Sequence, residues 1–399
     1  MQTERSAAAI AADLGPVAER AEVAAVLDTL GTQGSRWRVP TPALVVDLDA
    51  FDRNVALMAE RARAAGVALR PHAKSHKTSA LARRQIAAGA VGVCCAKLGE
   101  AEALTAQGIG GILVTSPVVG PLAAERAARL ALTAPDFALV VDHLDGVAEL
   151  AEAAGRIGAT ITVLIDIDVG LGRTGASSPT QVVSIAGAIA AAPSLRLLGV
   201  QAYGGQWQHM KGAAARAAAV RDGMRTLRTC LASLRKVGVE PALITGGGTG
   251  TFAADTDENL YNERQVGSYA LMDRDYRDAL GDDPDGAFEQ SLFVQAQVVS
   301  VNAADWVTLD AGLKALATDG PAPVPADRGR FAGCRYVFFG DEHGMLVRPS
   351  SGAAVARGER VELVVPHCDP TFDRYDIVHL VRGDALVDIV RVDGRGRAQ

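Results

Sequence analysis

Thr160–Asp168 reads TITVLIDID, and two further runs of the same texture follow it, LLGVQAY at Leu197–Tyr203 and PALITGGG at Pro241–Gly248. Each is continuously apolar and β-branched rather than alternating, which marks strands covered on both faces, as in a parallel sheet with helices outside. Working outward, the same texture recurs in ALVVDLD, VALRPHA, AVGVCCA, GILVTS and FALVVD. The segments between them, such as AFDRNVALMAERARAAG and SALARRQIAAG, repeat apolar residues at helical spacing. Eight strand–helix units in succession predict a (β/α)8 barrel, with a doubly wound open sheet as the alternative.

From about Phe293 the texture changes to FVQAQVVSV, WVTLDAG, RYVFFGDEHGMLVR, ERVELVVPHCD and DIVHLVRGDALVDIVRV, strands joined by turns with little helix. These predict a second, mainly antiparallel β domain. The polar LGDDPDGAF places the boundary near it. The expected division is a 1–39 extension packing on the body as a short amphipathic helix, a 40–284 barrel and a 285–399 β domain. The chain of 399 residues with net charge −6 has no basic block, which argues against a nucleic-acid partner. No apolar run reaches spanning length and no basic segment precedes an apolar N-terminal core, so neither a membrane segment nor a secretory signal is expected. Five cysteines cannot all pair, and a reducing cytoplasmic setting fits them.

In a barrel, reactive groups sit at the C-terminal ends of strands. Arg70–Thr78, RPHAKSHKT, puts two lysines at such a place. They are either part of a solvated basic loop or include a reactive amine, and Lys74, nearer the strand end than Lys77, is the candidate. His72 and His76 belong to its neighbourhood, while His143 and His379 read as structural. Arg173 in DIDVGLGRTG and Tyr203 in QAYGG follow two other strands. The glycine run TGGGTGT, Thr245–Thr251, is a structural turn or a phosphate cradle of backbone amides. A phosphate cradle opposite a strand-end lysine suggests a phosphorylated aldehyde cofactor held as an imine.

In VVPHCDPTFD, an extended backbone would turn His367 and Asp369 to one side and Cys368 away. The pair is either a surface couple or a site for a divalent ion, with Mn or Mg favoured over Zn by the oxygen donor. Cys368 facing inward would bring zinc back. GDEHG, Gly340–Gly344, is a turn or a device aiming Asp341 or His343 into a site, and His209 is a loop residue or an acid/base group.

Taken in order, TPALVVDLDAFDRNV, RPHAKSHK, DIDVGLGRTG, QAYGGQWQH, TGGGTGT, GSYALMD, DEHG and PHCDPT resemble the D-threonine aldolase and D-serine dehydratase group of pyridoxal phosphate enzymes, from about Pro40 onward. The resemblance implies the alanine racemase fold, a barrel plus a β domain, and a homodimer. It implies that Lys74 carries the cofactor, that Arg173 and Tyr203 contact it, and that Gly247, Gly248, Thr249, Ser268 and Tyr269 hold its phosphate. It makes His367 and Asp369 the metal ligands and puts His209 near the substrate hydroxyl. Dehydratases of the group tend to carry cysteine two residues after the metal histidine and to use zinc, so Asp369 has the aldolase form. The implied reaction is cleavage of a small β-hydroxy-D-amino acid such as D-threonine to glycine and an aldehyde. Dehydration of D-serine or 3-hydroxy-D-aspartate is the alternative, and a non-catalytic cofactor-binding protein a further one. A racemase would need a second acid/base residue that no motif supplies.

Overall fold

The structure is a computed structural model describing residues 5–281, 283–326, 331, 333–348 and 354–399. In chain order its strands are β1 (Ala43–Asp47), β2 (Ala68–Leu69), β3 (Val93–Cys95), β4 (Ile112–Val114), β5 (Ala138–Val141), β6 (Ile161–Asp166), β7 (Leu195–Ala202), β8 (Leu243–Gly246) and β9 (Glu263–Arg264). They continue as β10 (Leu292–Ser300), β11 (Trp306–Leu309), β12 (Val324–Pro325), β13 (Arg335–Phe338), β14 (Gly344–Val347), β15 (Arg360–Val364), β16 (Ile377–Arg382) and β17 (Ala385–Arg391). The chain forms two compact units. One comprises 55–269, 279–287 and 396–399, and the other 1–54, 270–278 and 288–395. Where the sequence reading divides the chain at 39/40 and 284/285, these units interleave along it.

The first unit is the barrel. Its eight strands are all parallel, in the order β2-β9-β8-β7-β6-β5-β4-β3. The two edges join through Val91 N–H to Leu69 O, Cys94 N–H to Pro71 O and a parallel bridge between His72 and Cys94. Cys94, Leu113, Ala138, Val140 and Leu164 form a small buried cluster of alternate strand residues. Their neighbours in the strands turn the other way, into the larger core built with the helices. Burial of both strand faces is why the runs read as continuously apolar.

Two of the strands depart from the sequence reading. ALVVD, counted there as the first barrel strand, is β1 of the other unit, antiparallel to β10 and parallel to β16. Its composition is that of a doubly covered strand, which both sheets contain, and its partners lie far along the chain. The place it leaves is taken by β9, whose Glu263 and Arg264 look nothing like a core strand. Burial of these charges is tolerated because Glu263 meets Arg70 at 3.0 Å and Arg264 lies close to Asp255.

The second unit is a nine-stranded, mainly antiparallel sheet of β1 and β10–β17. The N-terminal helix Ala7–Leu14 packs Ile10 and Leu14 in one cluster with Val381, Leu386 and Ile389, and Arg5 pairs with Asp388 at 2.7 Å. Among the described residues no helix is long and apolar enough to cross a membrane.

Candidate active site

In the barrel unit the segment after β2 makes one 3₁₀ turn, Ala73–Ser75, which presents Lys74 partly exposed at the strand end. His72 caps the turn: its Nδ1 accepts the Lys74 N–H at 3.4 Å. The ring proton therefore sits on Nε2 and points to Thr115 Oγ1, 3.1 Å away at the end of β4. His76 is buried and begins a chain of hydrogen bonds, with its Nε2 3.2 Å from Gln85 Oε1. Gln85 in turn donates to the Tyr269 hydroxyl at 3.1 Å. Lys77 is committed elsewhere, with Nζ 3.4 Å from Glu100 Oε1.

Arg173 stands on a loop shaped by three aspartates. Asp168 Oδ1 accepts from the backbone N–H groups of Gly170, Leu171 and Gly172 at 2.9, 2.9 and 3.1 Å. Asp142 accepts from Gly175 N–H at 3.0 Å, and Asp166 accepts from Thr174 Oγ1 and Gln201 Nε2, both at 2.9 Å. Burial pushes the Asp166 carboxyl up to about 6, against the pull of those hydrogen bonds. The loop delivers the Arg173 guanidinium 5.8 Å from the centroid of the Tyr203 ring, within cation–π range. Arg173 and Tyr203, from two different strand ends, thus stand together.

The glycine turn after β8 is built for close approach. Gly247 has φ +72°, and a Cβ there would lie 2.3 Å from Asp255 Oδ2. A Cβ on Gly248 would meet Gln208 Oε1 at 2.4 Å. Gln208 accepts from Gly250 N–H at 3.0 Å and donates to Thr251 Oγ1 at 3.1 Å, tying the segment after β7 to this turn. Tyr269 N–H donates to Thr249 Oγ1 at 3.0 Å, which brings the Ser268–Tyr269 backbone beside Gly247–Thr249. Beneath the turn, burial pushes Asp255 up to about 7 in spite of Arg264. Arg264 stacks over the Tyr261 ring at 4.9 Å. His209 lies exposed just beyond Gln208.

The other unit holds the acidic and histidine cluster. The extended geometry read for His367–Asp369 is not what forms: the chain turns into a helix, Cys368–Phe372, with His367 as its N-cap. Asp273 fixes that turn by accepting the Cys368 N–H at 2.8 Å, and Thr371 Oγ1 closes it by donating to His367 O at 2.7 Å. His367 and Asp369 nevertheless meet, Nε2 to Oδ2 at 3.3 Å, because a helix start folds the residue two places on back toward its cap. On its other side His367 Nδ1 is 2.8 Å from Asp319 Oδ2. Burial opposes a charge on the ring, but Asp369, Asp319 and Asp273 together push its pKa up to about 9. Cys368 is fully buried yet does not simply point away. Single ligand atoms of Asp273, His367 and Cys368 all lie within 4.8 Å of one another, close enough to surround an ion.

Several of these residues escape a reading of the sequence. Asp273 ends the quoted GSYALMD, but nothing local distinguishes it from a helix-capping aspartate, which it also is, accepting from Tyr276 N–H at 2.9 Å. Asp319 and Glu100 carry no signal at all, since their partners are distant in the chain. Gln208, an uncharged amide beside His209, carries no chemical signature of its own in the sequence.

Residues 46–275 match the alanine racemase N-terminal domain model and residues 291–381 a serine dehydratase domain model. The chain is 41% identical over 361 residues to a D-threonine aldolase of Arthrobacter sp, covering 90% of this chain and 93% of that one. The solved D-threonine aldolase of Filomicrobium marinum superimposes with a TM-score of 0.87 at 41% identity, over 91% of this chain and 97% of that one. The D-threo-3-hydroxyaspartate dehydratase of Delftia sp. HT23 gives a TM-score of 0.80 at 26% identity, over 89% and 98%. On the span of these matches, the chain belongs to the alanine racemase N-terminal domain family, in the branch that carries a serine dehydratase domain.

Proposed function

We propose that the protein is a pyridoxal phosphate-dependent, metal-activated lyase that cleaves D-threonine and related β-hydroxy-D-amino acids to glycine and an aldehyde. The observation that carries this reading is the identity and placement of Asp369. Two residues after His367 stands a carboxylate, 3.3 Å from the imidazole. A D-threo-3-hydroxyaspartate dehydratase has been solved with a histidine, and with a cysteine two places further on, each replaced by alanine, the cysteine variant in a metal-free form. The Asp369 carboxylate favours Mn or Mg over Zn, while the buried Cys368 thiol, which lies with His367 and Asp273 inside a 4.8 Å cluster, is the donor that favours Zn.

The residues present fit the cofactor the family uses. Lys74 supplies an amine at a strand end, and the turn at Gly247–Thr249 leaves no room for a Cβ at Gly247 or Gly248, as a backbone phosphate cradle requires. Pyridoxal phosphate, when bound, supplies an electron sink for the bond that breaks. Around it, Lys74 would bind the aldehyde carbon, and Gly247, Gly248, Thr249, Ser268 and Tyr269 would hold the phosphate. Arg173, steadied over Tyr203, would orient the ring. The His76–Gln85–Tyr269 chain keeps the Ser268–Tyr269 segment in register with the turn. His367 and Asp369 would hold the divalent ion, which lowers the pKa of an oxygen bound to it. His209, solvent-facing, would take the substrate hydroxyl proton on a ring nitrogen.

The test is product identity. Purified protein with pyridoxal phosphate and Mn2+ is given D-threonine and, separately, D-serine, with an EDTA control. Glycine and acetaldehyde, lost with EDTA, are expected. Pyruvate and ammonia from D-serine would establish the dehydratase instead, and neither product would leave only a binding protein.

A further inference from the structure

The His367 ring is held between two carboxylates, and the two contacts differ in kind. Nδ1 to Asp319 Oδ2 is 2.8 Å, the length of a charge-assisted hydrogen bond. Nε2 to Asp369 Oδ2 is 3.3 Å, longer than such a bond prefers. Two donors each about 2.1 Å from one ion, at an angle of about 100°, lie about 3.2 Å apart. The longer contact therefore has the spacing of two ligands on a shared cation, and the shorter one that of a bond made through a proton.

The place of Asp319 is itself determined. Thr371 Oγ1 donates to His367 O at 2.7 Å and accepts the Ala317 N–H at 3.1 Å. The Tyr375 hydroxyl donates to Ala315 O at 2.8 Å. These bonds fasten the 315–317 segment to the short helix that His367 caps and to Tyr375 just after it, so Asp319 arrives beside the ring as part of the frame. A half-exposed carboxylate (52% exposed) on a fastened segment can orient a ring without taking part in the core.

We infer that Asp319 is a positioning residue for the metal site: it accepts the Nδ1–H hydrogen bond of His367, fixes the tautomer that leaves the Nε2 lone pair facing Asp369, and stays outside the coordination sphere. Carboxylates that orient a metal histidine raise the basicity of the ligating nitrogen, and their loss weakens metal binding by about 10- to 100-fold. The inference rests on the metal reading of the proposed function. It assigns the opposite roles to the two aspartates in contact with the ring.

The experiment is Mn2+ binding by the full-length, metal-stripped protein, read by equilibrium dialysis with no substrate present. The proteins compared are wild type, Asp319→Ala, Asp319→Asn and His367→Ala, each checked for an unchanged thermal transition. Asp319→Ala is expected to bind about 10- to 100-fold more weakly, and Asp319→Asn, whose amide oxygen accepts the same N–H, to recover to within about fivefold of wild type. Wild-type affinity in Asp319→Ala would overturn the inference. So would an Asn variant as weak as the Ala variant, since the charge would then act on the ion directly. Both results leave the metal reading intact when His367→Ala loses the ion. A wild-type protein that binds no Mn2+, or a His367→Ala variant that binds it normally, defeats the metal reading and the inference with it.

Discussion

Lys77 Nζ lies 3.4 Å from Glu100 Oε1, and both side chains are largely buried. Glu100 also accepts the Ala96 N–H at 2.8 Å, so the carboxylate that holds Lys77 is itself fixed to the start of the next helix. Of the two lysines in KSHK, one is thereby a structural cation and the other is presented at the strand end. Borohydride reduction of the pyridoxal phosphate-loaded protein, followed by peptide mass analysis, should place the pyridoxyl group on Lys74. Lys74→Ala should remove the label, whereas Lys77→Ala should keep it and lose about 2 kcal/mol of stability from the stranded Glu100. Label on Lys77 would reverse the assignment.

Gly247→Ala should be among the most harmful single changes in the barrel unit. The backbone there has φ +72°, and the added carbon would come within 2.3 Å of Asp255 Oδ2. Strain and displacement together should cost about 2–4 kcal/mol. Chemical denaturation measures the stability, and fluorescence titration with pyridoxal phosphate should show weaker binding. A variant with wild-type cofactor affinity would remove the turn from the site.

Arg173 lies 5.8 Å from the centroid of the Tyr203 ring, so the ring face should matter more than the hydroxyl. Tyr203→Phe preserves it and should change turnover less than about threefold. Tyr203→Ala should lose about 1 kcal/mol of positioning, roughly a fivefold drop in kcat/KM. Arg173→Ala should lose more than either. Equal effects of the Phe and Ala variants would point to the hydroxyl instead.

Below neutral pH, His379 should set part of the acid limit of stability. Burial lowers its pKa to about 4, although its Nδ1–H bond to Leu44 O, 3.1 Å, pulls the other way. Its folded value lies below the unfolded value of about 6.5, so stability is complete above pH 6.5 and falls as pH drops toward 4, by on the order of 3 kcal/mol. Asp255 and Asp166, raised to about 7 and about 6, act with the opposite sign, losing stability as pH rises through those values. Urea denaturation of His379→Gln at pH 7 and pH 4.5 should show a smaller difference than wild type. An unchanged difference would assign the acid limb to other groups.

Exchange of Asp369 should change the metal preference. Asp369→Cys replaces a hard oxygen by a soft thiolate beside His367, and Zn2+ should gain on Mn2+ in competition by at least about tenfold. Should Mn2+ keep its advantage, Asp369 would not be in the coordination sphere.

Much of this fold is legible in the sequence because a doubly covered parallel strand must be apolar along its length, and a helix outside it must be apolar on one side. Runs such as ITVLID of β6 carry that signature alone. The same physics explains the misreading of ALVVD, since β1 is equally covered in its own sheet and composition cannot say which sheet that is. It also explains the silence of β9, where Glu263 and Arg264 look solvent-exposed until Arg70 and Asp255 are in place.

For the site, residue types and their spacing determined the candidates by themselves: a strand-end lysine, a glycine turn whose backbone needs positive φ, an arginine and a tyrosine after neighbouring strands, and a histidine near a carboxylate. Tertiary structure alone decided which lysine is tied to Glu100, that Gln208 and Thr249 brace the glycine turn, and that a helix start rather than an extended strand joins His367 to Asp369. It alone brought Asp319 and Asp273 to that histidine from 48 and 94 residues away (367 − 319 and 367 − 273). Local chemistry is encoded residue by residue, but a buried charge acquires its partner only when distant segments pack, and no window of sequence contains both.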